Sequence, residues 1–265
     1  MNFLATRRQW LQAAAAVVTF PALAQEDQTG GDPLGSMQYP GLREQTIGKA
    51  RAKFSDTVIV KGPAFADDAM NVPLLVDARG LSQVGGGVVR IRVAVDRNPV
   101  RQVLDFEPLR ALPMLAFHIR LEQASPVRAF VQTRDDQWHV GSTWVQAAGG
   151  GCTVPGVTRV DGSWSKTVGQ VQARFFNNVL EASRRLRLRV MHPMDTGLVA
   201  GIPAFYIEDL QLIDSAGQPW WRIALHEPVS ENPLITFELP TQSPRGFRLI
   251  GRDNNGNRID AEVSA

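Results

Sequence analysis

Gly85-Gly86-Gly87-Val88-Val89-Arg90-Ile91-Arg92-Val93-Ala94-Val95 is the stretch that decides the fold. Three glycines make a turn, and Ile91, Val93 and Val95 then alternate with polar or small residues. Alternation with a period of two puts one set of side chains on one face of a strand. Asn98-Pro99 ends it, because proline cannot donate to a sheet ladder. The same texture extends in both directions. Thr57-Val58-Ile59-Val60 and Asn71-Val72-Pro73-Leu74-Leu75-Val76-Asp77 precede it, and Ile47 to Ser55 reads as a short helix. Val103-Leu104-Asp105-Phe106, Leu115 to Leu121, Val127 to Thr133, Trp138-His139-Val140 and Thr143 to Gln146 follow, with an Asp135-Asp136 turn between two of them. Short strands at intervals of about ten residues, punctuated by Gly, Pro and Asp, predict an antiparallel sandwich.

The second half repeats this texture. Val171 to Phe175 opens it and Leu186-Arg187-Leu188-Arg189-Val190 alternates strictly. Tyr206 to Ile213, Trp220 to Leu225, Leu234 to Leu239 and Phe247 to Gly251 follow. Asp214-Ser215-Ala216-Gly217 and Asn254-Asn255-Gly256 supply hairpin turns, and Ile259 to Val263 closes the sheet. Of Trp220-Trp221, one is expected in the core and one at the surface. The fold class is all-β: two immunoglobulin-like antiparallel β-sandwich domains joined by a linker. Residues 153–170 lack periodicity and read as that linker, the coil from Val154 to Gly169 spanning about 20–25 Å on average.

The chain has 265 residues and a formal net charge of +2, with 20% charged residues. Such a balance is no footprint for nucleic acid. Residues 1–24 carry Thr6-Arg7-Arg8-Gln9-Trp10-Leu11, an alanine-rich apolar run and Ala22-Leu23-Ala24, the marks of a twin-arginine export signal. A periplasmic location is the expectation. No other stretch reaches 18 apolar residues, so no membrane span is expected. Residues 25–55, rich in Gly, Pro, Asp and Gln up to Leu42, read as a flexible lead-in. The domains then run over 56–152 and 171–265.

Gly149-Gly150-Gly151-Cys152 ends the first of these, and Cys152 is the chain's one cysteine. Glycines visit φ > 0 as readily as φ < 0, so the run reads as a flexible arm. Ala147 to Cys152 would reach roughly 20 Å if fully extended. A lone cysteine in an exported protein is either buried and inert or exposed and reactive. Cys152 lies outside any apolar periodic segment, so a displayed, functional thiol is expected. A thiol-linked dimer is one alternative and an incidental surface residue another. No Lys or Arg lies within several residues of Cys152, so the sequence contains no activating charge. His118 and His139 fall in strands, His192 in a turn, and no pair has metal-ligand spacing. No catalytic triad signature or phosphate loop occurs. A carrier suits these features better than an enzyme; no metal and no cofactor is expected beyond a possible covalent adduct on Cys152.

The stretch from Phe175 onward resembles SoxZ. The resembling residues are Leu188-Arg189-Val190-Met191-His192-Pro193-Met194-Asp195-Thr196-Gly197, Ala204-Phe205-Tyr206-Ile207, Val229-Ser230-Glu231-Asn232-Pro233 and Asp253-Asn254-Asn255-Gly256. The first half resembles SoxY through Pro63 to Asp67, Val72-Pro73, Asp96-Arg97-Asn98-Pro99 with Phe106, Ile119-Arg120-Leu121 and the Gly-Gly-Cys end. The resemblance implies a SoxYZ-like sulfur-compound carrier, of the kind used in thiosulfate oxidation, with Y and Z sandwiches paired inside one chain. In that family the SoxY cysteine rides a swinging arm and holds intermediates covalently for separate enzymes. This carries over to Cys152, with Gly149, Gly150 and Gly151 as the arm. The family's motif continues Gly-Gly and ends the SoxY chain, whereas Thr153-Val154-Pro155 follows here. The fused form resembles carriers associated with quinoprotein (PQQ) dehydrogenase systems. The implied partners are periplasmic oxidoreductases, either Sox-type enzymes or a quinoprotein dehydrogenase with its cytochrome c system. The alternative is a non-covalent binding or assembly partner of such a dehydrogenase.

Overall fold

The computed structural model describes residues 29–178 and 183–264. The export signal expected over 1–24 lies outside the described residues. In chain order the elements begin with helix α1 (Tyr39–Ile47), then strands β1 (Ala52–Phe54), β2 (Ile59–Lys61), β3 (Phe65–Ala66) and β4 (Val72–Asp77). They continue with β5 (Val88–Val95), β6 (Gln102–Glu107), β7 (Met114–Ile119), β8 (Ser125–Thr133) and β9 (Trp138–Ala147). Two short helices follow, α2 (Val157–Asp161) and α3 (Trp164–Thr167). The second half contributes β10 (Val171–Asn178), β11 (Ser183–Val190), β12 (Ile207–Ile213), β13 (Pro219–Leu225), β14 (Leu234–Pro240), β15 (Gly246–Asp253) and β16 (Arg258–Ser264). The all-β expectation holds.

Two sheets face each other. The larger runs β1-β9-β8-β5-β6-β13-β12-β15-β16, with β3 also on β9, and the smaller runs β10-β11-β14-β7-β4-β2. Pairing is antiparallel except where β1 and β3 join β9 in parallel. Both sheets cross the junction between the halves. Strand β6 pairs with β13, bringing Phe106 opposite Ile223, and β7 pairs with β14, bringing Leu115 opposite Phe237. The halves are therefore fused strand to strand as well as through residues 153–170. An exposed strand edge is a template for unwanted pairing, and each half covers an edge of the other.

The core follows the alternation. Ile91, Val93 and Val95 are fully buried, as are Leu186, Leu188 and Val190 or nearly so, and all belong to one apolar cluster spanning both halves. Trp221 is the buried member of its pair and stacks on Phe237 at 4.1 Å between ring centres, while Trp220 is half-buried.

Three local expectations need correction. The helix lies at Tyr39–Ile47 rather than over Ile47 to Ser55, where β1 forms instead. The segment read as a flexible lead-in is docked from Thr29 onward. Tyr39, Leu42 and Ile47 of α1 close a second apolar cluster with Ala94, Phe130, Trp138 and Val140 on the outer face of the larger sheet. Burying side chains such as Leu42 and Ile47 contributes about 1.5–3 kcal/mol each. Beside them Arg128 donates to Asp32 at 2.6 and 2.8 Å and to Asp96 at 2.7 and 2.9 Å, with all three side chains fully buried. Third, residues 153–170 are no loose linker but hold α2 and α3, and their contacts belong to the site.

Candidate functional site

Cys152 does not hang free. After β9 the chain turns through Gly149 and Gly150, at φ 94° and 75°, values that side chains rarely adopt. The Gly150 and Gly151 amides then donate to the carbonyls of Glu122 and Leu121 at 2.9 and 3.0 Å. Gly151 is wedged between backbones: a Cβ there would lie 2.1 Å from the Ala69 carbonyl oxygen and 2.7 Å from that of Leu121. The glycine run thus permits a close approach as much as motion.

Both backbone groups of Cys152 are tied, one by each half. Its amide donates to Glu122 Oε2 at 3.1 Å, and the Thr196 hydroxyl donates to its carbonyl at 2.7 Å. The Thr153 hydroxyl adds a bond to Glu122 Oε1 at 3.1 Å. Arg120 Nη1 lies 3.4 Å from the carbonyls of Gly151 and Val154. Cys152 is 2% exposed. Burial, reinforced by the Glu122 carboxylate and only partly offset by Arg120, pushes it up to about 12. The displayed thiol expected from sequence is therefore, in this arrangement, protonated and sheltered.

Thr196 belongs to the His192–Gly197 turn, a rigid platform. Its neighbour Asp195 bridges Phe205 through backbone bonds of 2.7 and 3.1 Å. The Asp195 carboxylate takes the guanidinium of Arg159 from α2, with Nε at 2.8 Å. Arg159 in turn lies 4.1 Å over the Trp164 ring of α3, and the Thr158 amide donates to Glu231 at 2.7 Å. The segment following Cys152 is thereby fastened to the second half.

His192 is structural. Its Nδ1 accepts from the Met194 amide at 3.1 Å, and its ring packs on Phe205 at 4.3 Å. Burial lowers it to about 4 despite Asp253 nearby. A histidine depressed in the fold binds its proton first in the unfolded chain. Its stability contribution is complete above pH 6.5 and is lost as pH falls towards 4. Denaturant titrations are expected to show a loss of about 3 kcal/mol from this group across that window, and His192→Gln should flatten the slope. An unchanged slope in the variant would assign the acid sensitivity elsewhere.

The sequence singled out Gly149, Gly150, Gly151 and Cys152, and the structure keeps them together. It adds Glu122, Arg120, Thr196, Asp195 and Arg159. Arg120 stands among the apolar residues Phe117, Ile119 and Leu121, and the structure buries it against backbone carbonyls. Nothing in the sequence joins Glu122 to Cys152, 30 residues away.

Among solved structures, the chain is similar to the sulfur carrier protein SoxY from Chlorobium limicola f thiosulfatophilum. Identity is 20% over 40% of this chain and 88% of that one, with a TM-score of 0.35. No curated protein sequence matches. Residues 43–152 match the family model for sulfur oxidation protein SoxY, and residues 178–264 match that for sulphur oxidation protein SoxZ. The first match ends on Cys152, and the second starts at the last residue of β10 and contains the turn that binds it. The chain is a fused SoxYZ-like protein, a SoxY domain and a SoxZ domain of the sulfur-oxidation carrier family joined in one polypeptide.

Proposed function

We propose that this is a periplasmic carrier that holds a sulfur-containing or other intermediate covalently on Cys152. The observation that carries the reading is the double tether of Cys152, held by Glu122 from one domain and Thr196 from the other. The docked state shelters the thiol, and Gly149 and Gly150 form the turn about which the segment leaves. Loading joins Cys152–SH and a cargo R–SH as Cys152–S–S–R. Two protons go to water and two electrons pass to a partner oxidoreductase. That partner is a Sox-type enzyme or a quinoprotein dehydrogenase with its cytochrome c. Export by the twin-arginine signal places the carrier with such partners.

Intact-mass analysis of the chain isolated from its native host's periplasmic fraction is expected to show an adduct that reductant removes and Cys152→Ser abolishes. A bare thiol under all growth conditions would overturn the proposal. The burial of the thiol also suits a second reading, a non-covalent assembly partner of a quinoprotein dehydrogenase. Under that reading Cys152→Ser complements a deletion fully.

A further inference from the structure

The outer face of the smaller sheet carries arginines that no carboxylate among the described residues answers. The register sets Arg174 directly opposite Arg187 and Gln172 opposite Arg189 across β10 and β11. On the other side of β11, Arg187 faces Thr236 and Arg189 faces Leu234. Arg174, Arg187 and Arg189 are all exposed and line one surface recess with Gln172 and Leu234. None of the three forms an ion pair among the described residues. The nearest carboxylate in register, Glu238, is taken by Arg185 at 2.6 Å and by the Ser183 hydroxyl at 2.6 Å. Like charges directly opposite on a sheet are destabilising.

The larger sheet shows the contrasting arrangement. There Arg92 lies opposite Asp105 and bonds it at 2.8 Å, Arg222 lies opposite Glu107, and Arg248 pairs with Asp260. Arg92, Arg248 and Arg252 of the larger sheet each hold a carboxylate, whereas Arg174, Arg187 and Arg189 hold none among the described residues.

The arginine patch adjoins an apolar groove of about 570 Å³ over the same sheet, floored by Leu75, Met114 and Ala116 and edged by Phe176, which is 46% exposed. Past Leu234 the surface continues to Arg120 and Glu231, beside the segment holding Cys152. Arginine, methionine and an aromatic beside an apolar floor is the composition of protein interfaces. A free small anion would need no such floor.

We infer that this face is the docking surface for a partner protein that presents an acidic patch bordered by apolar side chains. The charge complementarity selects the partner, and the position of the groove sets that partner next to the Cys152 segment. The inference does not depend on whether Cys152 carries cargo.

The test uses the full chain and poly-L-glutamate as probe, with binding followed by calorimetry at 50 mM and 500 mM salt. Wild type is expected to bind at low salt and to weaken at least tenfold at high salt. The combined variant Arg174→Gln, Arg187→Gln, Arg189→Gln should bind at least tenfold more weakly at low salt. Arg222→Gln combined with Arg258→Gln, on the larger sheet, should remain within twofold of wild type. Equal binding by the triple variant would overturn the inference. So would tighter association with phosphatidylglycerol vesicles than with poly-L-glutamate, which would make the face a lipid surface. A dimer seen by sedimentation velocity and lost in the triple variant, without polyglutamate binding, would give the face to a second copy instead.

Discussion

Gly151→Ala is expected to raise the rate at which iodoacetamide alkylates Cys152 at pH 7 by about 100-fold or more. Two effects combine. The added Cβ would sit 2.1 Å from the Ala69 carbonyl oxygen, a backbone atom that cannot swing aside, so the docked arrangement is no longer open to the segment. Undocking returns the thiol from about 12 to its ordinary value of 9.0. That return changes the thiolate fraction at pH 7 by roughly 1000-fold, from about one part in 100,000 to about one in a hundred, and the thiolate is the reacting species. Steric release adds to this. Thr196→Val removes only the hydroxyl bond to the Cys152 carbonyl. A bond of that kind contributes about 0.5–1.5 kcal/mol net, so the opening equilibrium, and with it the labelling rate, should rise by up to about tenfold. Near-ultraviolet circular dichroism and the melting temperature distinguish local undocking from unfolding. A Gly151→Ala protein that melts like wild type and labels no faster would show that the cradle does not control the thiol.

Arg128→Met is expected to destabilise the fold by about 3–5 kcal/mol in denaturant titration, because it strands Asp32 and Asp96 as buried carboxylates without their cation. The side chain is fully buried between them, and its guanidinium also lies 4.7 Å over the Tyr39 ring. Loss should be local as well as global. The segment carrying Asp32 and α1 is held to the larger sheet by this ion cluster and by Tyr39, Leu42 and Ile47, so cleavage between residues 29 and 50 should precede global unfolding in limited proteolysis. The pH dependence has a definite sign. Burial raises the Asp32 carboxyl, but hydrogen bonds from Arg128 and Ser36 and the charge of Arg128 outweigh it and hold it below its ordinary 3.8. A carboxyl depressed in the fold contributes its full stability above the unfolded value and loses it as pH falls through the folded one. The Arg128–Asp32 contribution is therefore complete at neutral pH and erodes below about pH 4. If Arg128→Met shifts the midpoint by less than about 1 kcal/mol, the cluster does not hold the lead-in.

The two sites differ in what they ask of the molecule. The ion cluster is permanent, with three fully buried groups whose separation exposes unpaired charge. The cysteine cradle is weaker by construction. It rests on one charged acceptor, Glu122, one hydroxyl and two carbonyls 3.4 Å from Arg120. The proposed carrier function needs this asymmetry, since it requires the core to persist while the Cys152 segment leaves and returns.

What the sequence determined by itself is the β texture and the single thiol. Alternation of Ile91, Val93 and Val95, and of Leu186, Leu188 and Val190, specifies which faces are buried, because strand geometry alone forces successive side chains apart. The glycines before Cys152 announced an unusual backbone, and Gly149 and Gly150 do adopt positive φ. Three things were decided only in three dimensions. Tyr39-Pro40-Gly41 reads locally as loop, yet α1 forms there and packs on the larger sheet, and Arg128, 96 residues from Asp32, holds the segment that precedes it. The two domains share both sheets because β6 finds β13 and β7 finds β14, pairings no local pattern encodes. The Cys152 thiol is raised first by burial and then by Glu122, with Arg120 opposing, and all three arise only when the chain folds back. Local pattern reports what a residue does to its own backbone, whereas desolvation and charge depend on neighbours distant in sequence, and these turned a thiol read as displayed into one that is held and sheltered.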